Sequence, residues 1–311
     1  MKPLSLAKAV EFYLDQRRQL GFAMKEDGWM LRGLARYAAE KRHRGPLTTP
    51  LALAWAQSPS QASPLWWASR LDAVRRFAAF WRPFDPRTQM PPPGVFGPSC
   101  RRRSPHIYTA QEIKLLMEAA GRLDVPRNVT FQTLLGLLAC TGTRIGEALR
   151  LRDQDIDWTR ALLTIHRSKF GRSRCLPLQE STLIALQRYR QKRPLPHLKT
   201  DHPTFFRWTN GQAVSYAQAA RTFADLRRQL GWMGQPKPRL HDLRHTFAVR
   251  SLIDWYRRNE DVNQKVLGLA TYLGHGDIAD TYWYLSAVPE LLALAQARWP
   301  ELQTAAGGAH A

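Results

Sequence analysis

Residues 240–247 of the chain read Leu-His-Asp-Leu-Arg-His-Thr-Phe, and this stretch decides how the second half of the protein folds. Its apolar residues recur at the spacing of an α-helix, so they predict a helix with one buried face. His241 and Arg244 stand three positions apart and share the face beside it. The stretch therefore predicts a core helix that presents an imidazole and a guanidinium side by side.

A second segment, residues 140–151, carries another arginine at the start of a helix. It reads CTGTRIGEALRL, and its Thr-Gly-Thr sequence predicts the end of one helix and the beginning of the next, with Arg144 in the first turn. An arginine beside the free backbone N–H groups of a helix N-terminus is suited to bind a phosphate. The alternative is a salt bridge between Arg144 and Glu147 on a surface helix.

Two more segments add a lysine, a histidine and a tyrosine. Lys169 lies in the turn of a predicted β-hairpin formed by residues 161–166 and 173–178, where a flexible ammonium group could donate a proton at a reaction centre. His275 follows a Leu-Gly pair, and Tyr284 comes nine residues after it. Each of these residues alone is more often a packed structural residue than a catalytic one, so only the set is informative.

The charge of the chain narrows the class of partner. Its 311 residues include 46 Lys and Arg against 25 Asp and Glu, which gives a net charge of +21. This surplus exceeds what solubility requires and predicts a polyanionic partner. Hydrophobic residues make up 44% of the chain, which excludes disorder as its main state. With no stretch of about 18–20 apolar residues and no apolar signal-peptide core, the expected location is the cytoplasm, at the nucleoid.

The periodicity predicts a mainly α protein with a small β-hairpin or sheet, divided into two domains. Residues 1–84 are predicted to form a helical domain, with helices over about 4–20 and 25–41, a short third helix and a longer fourth. The fourth helix carries arginines off its apolar stripe, as a helix laid against phosphates needs, although a solvated basic face is the alternative. These candidate DNA-binding residues are Arg70, Arg75 and Arg76.

Residues 85–106 have the composition of a linker, rich in proline and ending in a basic run. Three further candidate DNA-binding residues close it, namely Arg101, Arg102 and Arg103. They could follow a nucleic-acid backbone, and a simple tether is the alternative. Residues 107–311 are predicted to form the second domain, which begins with a Thr-x-x-Glu capping box at 109–112.

Neither a nucleotide cofactor nor a metal is expected. The chain has no G-x-x-x-x-G-K sequence and no complete dinucleotide turn, which argues against ATP and NAD. Its three cysteines are far apart and form no C-x-x-C pair. A zinc hydrolase is an alternative, because His241 and His245 have the spacing of zinc ligands and His275 or Asp277 could be a third. Zinc hydrolases with the H-E-x-x-H motif use its glutamate as the general base, and in this chain Asp242 occupies that position.

Taken together and in this order, the segments resemble the tyrosine recombinase (phage integrase) superfamily, which includes the Xer recombinases and the integrases of phages and transposons. Residues 141–147 match its first arginine box, and Lys169 followed by residues 177–178 matches its hairpin lysine. Residues 241–245 match the His-x-x-Arg box, and residues 273–284 match the Leu-Gly-His and nucleophile boxes. The resemblance extends over nearly the whole chain and implies a SAM-like helical core-binding domain, a linker and a catalytic domain.

The resemblance implies a site-specific recombinase that cuts and rejoins DNA through a covalent intermediate, without ATP or metal. Tyr284 would attack the scissile phosphate and form a 3′-phosphotyrosyl bond, which conserves the energy needed for rejoining. Arg144 and Arg244 would hold the non-bridging oxygens. Lys169 would protonate the departing 5′-oxygen.

The remaining roles implied by the family concern two histidines and a carboxylate. His241 would assist proton transfer at the tyrosine, His275 would hydrogen-bond the phosphate, and Glu147 would orient the site from behind. Tyr282 is the alternative nucleophile, although the spacing from His275 favours Tyr284.

The implied partner is double-stranded DNA with a specific core site, bound by a homotetramer or by a heterotetramer with related recombinases, within a mobile element. A non-catalytic DNA-binding relative and a type IB topoisomerase are the alternatives. The apolar segment 288–295 is expected to dock on an adjacent protomer, with packing on its own domain as the alternative. Residues 255–261 are expected to be an insertion, with a neighbouring protomer as a candidate contact.

Overall fold

The computed structural model describes residues 4–99, 104–166, 173–196 and 203–297. Helices dominate these residues, and contacts divide the chain into two compact units, Met1–Arg102 and Arg103–Ala311. The predicted mainly helical fold with a small β element is confirmed. No helix of the described residues is both long enough and apolar enough to cross a membrane.

The described part of the first unit is a bundle of four helices. They are α1 (Leu6–Gln19), α2 (Lys25–Glu40), α3 (Thr49–Gln57) and α4 (Pro64–Trp81). Helices α1, α3 and α4 begin after a serine or threonine whose side-chain oxygen accepts a hydrogen bond from a backbone N–H of the first turn. Leu14, Leu31, Leu34 and Phe77 meet in the fully buried core. The predicted helices 4–20 and 25–41 therefore agree with α1 and α2 to within two residues.

The prediction that Arg70 faces outward toward phosphates is wrong. Arg70 lies inside the bundle with 7% of its surface exposed. Its Nη2 donates to the backbone oxygen of Trp55 at 2.6 Å, and its guanidinium lies 3.9 Å from the centre of the Trp55 ring. Arg75 is half-buried and donates to the oxygen of Pro91, whereas Arg76 is exposed and pairs with Asp27. Helical spacing alone placed Arg70 off the apolar stripe, but its aliphatic stem carries the charged end back over a tryptophan.

The segment 84–99, most of which was predicted to be linker, packs along the first unit. The backbone N–H of Gln89 donates to Leu47, and the side-chain oxygen of Gln89 accepts from the backbone of Thr49. Further on, Phe96 contacts the ring of Trp67, with 5.9 Å between the ring centres. Arg101, Arg102 and Arg103 lie outside the described residues.

The second unit combines helices with a small antiparallel sheet. Its first elements are α5 (Ala110–Gly121), α6 (Arg127–Thr141), α7 (Ile145–Ala148), β1 (Ile156–Asp157), β2 (Leu162–Ile165) and β3 (Arg174–Pro177). The later helices are α8 (Glu180–Lys192), α9 (Tyr216–Gln229), α10 (Leu240–Arg257), α11 (Val262–Leu273), α12 (Ala279–Ala287) and α13 (Pro289–Ala297). The capping box expected at residues 109–112 opens α5.

The sheet has the order β1-β2-β3, with Leu163 of β2 opposite Ile156 on one side and Leu176 on the other. The predicted hairpin is therefore β2 and β3. Strand β1 was not expected, because two residues are too short to show an alternating pattern. All three of these apolar side chains are buried in the core of the unit.

The apolar run after residue 131 is divided where the sequence predicted, at Gly142. This glycine ends α6 with a φ of +60°, and a Cβ on it would lie 2.6 Å from the ring of Phe247. The residue must therefore be a glycine both for its backbone conformation and for the close approach of α10. The break sets Arg144 at the start of α7, facing α10 and α11.

The C-terminal helices cover one end of α10. Leu291 of α13 is fully buried in a cluster with residues of α10 and α11, and Glu290 pairs with Arg257 at 2.9 Å. Helix α13 therefore packs on its own unit, which was the alternative to docking on a neighbour. The expected insertion at 255–261 consists of the end of α10 and the turn into α11, and Trp255 packs on the same cluster.

Candidate active site

Two arginines from distant parts of the sequence meet at the C-terminal end of α11. Arg144 donates from Nη2 to the oxygen of Gly274 at 2.9 Å and from Nη1 toward that of Leu273 at 3.4 Å. Arg244 donates from Nη2 to the same oxygen of Leu273 at 2.7 Å, and from Nη1 to that of Gly142 at 2.8 Å. Free carbonyls at a helix end are natural acceptors for guanidinium groups. The structure thus brings together the two arginines that the sequence predicted as a pair.

Arg244 is the more deeply buried of the two. It is 2% exposed, whereas 26% of the Arg144 side chain is accessible. Burial and the neighbouring charge of Arg144 lower the pKa of Arg244 to about 10, so the group stays protonated at neutral pH. The carbonyl oxygens that hold it are neutral and do not cancel its charge. A bound anion would gain from both guanidiniums, because Coulomb attraction is stronger where water is excluded.

The two tyrosines of α12 face different surroundings. Tyr284 is 2% exposed and belongs to the cluster between α10 and α11, whereas Tyr282 is 41% exposed. Burial raises the pKa of Tyr284, and the charges of Arg244 and Arg144 lower it in part. The phenol is therefore protonated at neutral pH and lies beside the two arginines. This placement favours Tyr284 over Tyr282 as the candidate nucleophile.

The histidine in contact with the Tyr284 hydroxyl is His245. The distance from His245 Nδ1 to Tyr284 Oη is 3.0 Å. The sequence predicted His241 for the role at the tyrosine and indicated His245 only as a metal ligand. His241 instead stacks edge-to-face on His245, with 4.6 Å between the ring centres. The correction follows from the helix, because the residue after Arg244 points toward α12.

All three histidines of the site are neutral at pH 7. Burial followed by the charge of His241 lowers the pKa of His245 to about 3. Desolvation followed by the charge of Arg244 lowers the pKa values of His241 and His275 to about 4. A neutral imidazole with its proton on Nε2 can accept the phenolic proton at Nδ1. His275 Nδ1 lies 2.6 Å from the hydroxyl of Thr281, which fixes the orientation of that ring.

Glu147 lies behind the arginines and is buried. Its Oε1 accepts from Arg144 Nη1 at 2.9 Å, and its Oε2 accepts from the Arg144 backbone at 3.0 Å. Arg174 binds both carboxylate oxygens, at 3.1 and 2.8 Å. Although burial by itself would raise it, the bonds from Arg174 and Arg144 lower the pKa of Glu147 to about 2. The alternative salt bridge between Arg144 and Glu147 is therefore real, but it lies inside the site and not on a surface helix.

Lys169 lies outside the described residues, so its distance from the arginines is not defined. Its hairpin ends in β3, whose first residue, Arg174, contacts the site directly. Within the described residues, no group of three or more His, Cys, Asp or Glu side chains is arranged to hold a metal ion. In the alternative zinc site, His245 would have only Nε2 left to bind a metal, because its Nδ1 contacts the Tyr284 hydroxyl.

Three contact residues of the site were not singled out from the sequence as site residues, namely His245, Arg174 and Thr281. His245 gave a signal, since it lies one position beyond Arg244 and four beyond His241. Arg174 is one of several basic residues around the hairpin turn, and nothing in their sequence pattern marks Arg174 as a contact of the site. Thr281 lies in α12 three residues before Tyr284, on the turn that faces His275.

Comparison with known sequences gives one family and close relatives along the whole chain. The sequence model described as the phage integrase family matches residues 107–290. An inferred integrase/recombinase of Sinorhizobium fredii, y4rB, is 40% identical over 305 residues, which cover 94% of this chain and 96% of that protein. The tyrosine recombinase XerD of Caulobacter vibrioides is 29% identical over 245 residues, covering 74% of this chain and 73% of that protein.

Solved structures give a matching fold. The integrase of transposon Tn1549, solved in complex with transposon right-end DNA, superposes with a TM-score of 0.70 at 17% identity, covering 95% of this chain and 99% of that chain. The lambda integrase, solved bound to DNA, gives a TM-score of 0.57 at 18% identity, covering 79% of this chain and 86% of that chain. At this identity the likeness establishes the fold.

Proposed function

The chain belongs to the phage integrase family of tyrosine recombinases, and from this premise we propose that it cuts and rejoins double-stranded DNA through a 3′-phosphotyrosyl intermediate. The observation that carries the proposal is the position of Tyr284. Its hydroxyl contacts His245, and its charge environment is set by Arg244 and Arg144, two guanidiniums held by neutral carbonyls. This is the arrangement that an attack on a phosphodiester requires.

In the proposed reaction the Tyr284 oxygen forms a bond to phosphorus while the bond from phosphorus to the 5′-oxygen breaks. Arg144 and Arg244 donate to the non-bridging oxygens, where negative charge accumulates in the transition state. Lys169 supplies a proton to the departing 5′-oxygen. The exchange of one phosphoester for another conserves the bond energy, so rejoining needs no ATP.

The phenolic proton leaves through the histidines in this proposal. His245 accepts the hydrogen bond of Tyr284, and His241 lies against His245. An anionic phosphate beside the imidazole stabilises its protonated form, which offsets the low pKa values of the histidines. His275, held by Thr281, is assigned to the phosphate, and Glu147 orients Arg144.

The wider organisation is part of the same proposal. Residues 1–84 bind DNA, residues 85–106 connect the domains with Arg101, Arg102 and Arg103 at the backbone, and residues 107–311 carry the chemistry. In the first unit, Arg76 and Arg75 bind DNA phosphates after they release Asp27 and Pro91, their partners in this structure. The likeness to a transposon integrase supports a recombinase of a mobile element. We propose further that it acts as a tetramer on two core sites, in the cytoplasm.

The test is covalent trapping on nicked DNA. The target would first be selected from randomised duplexes with the Tyr284→Phe protein, and then synthesised with a nick that lets the short 5′-fragment diffuse away. Wild type, Tyr284→Phe and the matched control Tyr282→Phe would be compared on denaturing gels. We expect an adduct with wild type and Tyr282→Phe and none with Tyr284→Phe.

The other outcomes assign other functions. An adduct lost only in Tyr282→Phe would move the nucleophile by two residues. Tight DNA binding without any adduct would favour a non-catalytic DNA-binding protein. Relaxation of a supercoiled plasmid that lacks the selected site, by protein at monomer concentrations, would favour a type IB topoisomerase over a recombinase.

A further inference from the structure

Arg174 is a buried arginine whose three nitrogens are all used inside the protein. It opens β3, and 9% of its side chain is exposed. Nη1 and Nη2 donate to the two oxygens of Glu147, and Nε donates to the backbone oxygen of Tyr272 at 2.7 Å. The guanidinium thus connects the sheet to α7 on one side and to the end of α11 on the other. These bonds use three of the five N–H donors of the guanidinium, one on each nitrogen.

The two partners of Arg174 are also the supports of Arg144. Glu147 accepts bonds from the side chain and the backbone of Arg144. Tyr272 immediately precedes Leu273 and Gly274, whose oxygens hold Arg144 and Arg244. The Arg174 side chain therefore holds both the Glu147 carboxylate and the end of α11, and these two groups orient Arg144.

Gly274 shows how closely Arg174 fits. This glycine has a φ of +68°, and a Cβ on it would lie 3.0 Å from Arg174 Nη1. The Leu-Gly-His segment thus needs a glycine for its left-handed backbone, and also because the guanidinium of Arg174 occupies the space beside it. His275, the next residue, takes its position from the same turn.

The charges explain why a second arginine is needed behind the first. Glu147 alone would form a closed pair with Arg144 and weaken its attraction for an anion. Arg174 binds both oxygens of the carboxylate, so that three guanidiniums, those of Arg144, Arg174 and Arg244, share one negative charge. Arg174 is the buried partner of Glu147 and Arg144 the accessible one, which leaves net positive charge on the side open to a ligand.

We infer that Arg174 is a positioning residue for strand cleavage: it holds Glu147 and the end of α11 so that Arg144 and Arg244 stay aimed at the scissile phosphate, and it connects this pair to β3. The inference rests on the proposed function. Arg174 itself touches neither the phosphate nor Tyr284. Its effect acts through Arg144, and displacing a phosphate ligand by about 1 Å lowers rates by about 100-fold.

The experiment uses the full-length protein and the nicked duplex described above. Arg174→Ala, Arg174→Lys and the matched control Arg160→Ala, which removes an exposed arginine of the turn before β2, would be compared. Duplex affinity, thermal unfolding and the single-turnover rate of adduct formation would be measured from pH 5 to 8. Tyr284→Phe defines the background.

For Arg174→Ala we expect an adduct rate lower by about 100-fold, with duplex affinity near that of wild type. Arg174→Lys should recover part of the rate, because an ammonium still neutralises Glu147 but cannot also reach Tyr272 in the fork geometry. The rate of Arg174→Ala should also fall more steeply toward pH 5, since the Glu147 carboxyl has lost a cationic partner. Adding Glu147→Gln to Arg174→Ala should remove this extra pH dependence.

A rate and a pH profile equal to those of Arg160→Ala would overturn the inference while leaving the proposed function intact. The inference would also fail if Arg174→Ala and Arg174→Lys lost only thermal stability, with an unchanged rate per folded molecule. A wild-type protein that forms no Tyr284-dependent adduct would overturn the proposed function, and with it the role given to Arg174.

Discussion

Arg70 in the first unit and Arg244 in the second are both buried, and both donate hydrogen bonds to backbone oxygens. In the first unit, Arg70 donates to the backbone oxygen of Trp55 and to the hydroxyl of Ser58. In the second unit, Arg244 donates to the backbone oxygens of Gly142 and Leu273. Burial lowers the pKa of both groups. Burial and hydrogen bonding by themselves therefore do not distinguish a structural arginine from a functional one.

The difference lies in what surrounds each guanidinium. The Arg70 guanidinium lies over the Trp55 ring, which offers an apolar and weakly negative surface. Arg244 lies beside a second guanidinium, that of Arg144, and beside the buried phenol of Tyr284. Two like charges lie close together only at a cost in free energy, which a bound anion would reduce, so this pair of arginines is a candidate anion-binding site.

The largest expected effect comes from replacing Arg244. Arg244→Lys retains the charge but cannot donate to Gly142, Leu273 and a phosphate oxygen in one plane. We expect the rate of covalent adduct formation on the nicked duplex to fall by about 1,000-fold, as when a transition-state donor is removed. The matched control is Arg70→Lys, which makes the same change in the first unit and should leave the rate per folded molecule close to that of wild type. Equal losses of rate in both variants would remove the distinction between the two arginines.

Replacing His245 should have the next largest effect. His245→Ala removes the group in contact with the Tyr284 hydroxyl, and we expect adduct formation to slow by about 100-fold. His245→Asn retains an acceptor without basicity and should lie between alanine and wild type. The control is His43→Ala, since His43 bonds to a backbone oxygen within the first unit. If His241→Ala slowed the reaction and His245→Ala did not, the tyrosine's proton would leave through His241.

Much of the site could be predicted because its chemistry is concentrated in short segments. Gly142 and Gly274 both have a left-handed backbone, and each ends a helix. Each glycine therefore fixes the position of the functional residue that follows it in the chain. Arg144, Arg244 and Tyr284 then fall where their boxes place them, and the structure brings them together. Local sequence rules are sufficient for Arg144, which lies two residues after Gly142, whereas Arg244 and Tyr284 were identified through the resemblance to the recombinase family.

What could not be predicted depends on partners far away in the sequence. Arg70 is buried because Trp55, fifteen residues earlier, folds against it. Arg174 is buried because Glu147 and Tyr272, on either side of it in the chain, close around it. Whether His241 or His245 contacts Tyr284 depends on the angle at which α12 crosses α10. Spacing along one helix assigns a face but not the side chain that meets it.

The histidines of the site should make the second unit sensitive to acid. Each of His241, His245 and His275 has an ordinary pKa near about 6.5 when unfolded and a lowered pKa, about 3 to 4, when folded. Between these values the unfolded chain binds more protons, so stability should fall as pH decreases from about 6.5 to about 4. Urea unfolding at pH 7, 6 and 5 would measure the slope, which His245→Gln should reduce. The first unit is the internal comparison, since its described part contains one histidine, His43. A flat stability profile over this range would mean that the three rings bind protons equally in the folded and unfolded states, so that folding does not lower their pKa values.

Arg70 should matter for stability alone. Arg70→Met fills similar space but removes a charged donor to the oxygen of Trp55, which still accepts from Ser58, and a hydrogen bond from a charged group contributes about 1.5–3 kcal/mol. We expect urea unfolding followed by the tryptophans to show this loss, with normal adduct formation below the transition. Arg75→Met is the comparison on the same helix, since Arg75 is only half-buried. A loss of duplex affinity in Arg70→Met without loss of stability would instead support Arg70 as a DNA contact.

The smallest effect is expected at Arg76, because its side chain is far more exposed than those of Arg70 and Arg244. Its guanidinium forms a two-bond pair with Asp27 across α2 and α4, but half of the side chain is in solvent, so the pair should contribute less than about 1 kcal/mol. Arg76→Gln should therefore barely change urea unfolding. Its duplex affinity should nevertheless fall, and the dependence of that affinity on salt should weaken by about one counterion, if Arg76 exchanges Asp27 for a phosphate. Asp27→Asn should have the opposite effect: it removes the charged partner of Arg76 and should therefore tighten binding to the duplex. Unchanged affinity and salt dependence in both variants would mean that the pair with Asp27 persists on DNA, and that the basic face of α4 is a solvated surface.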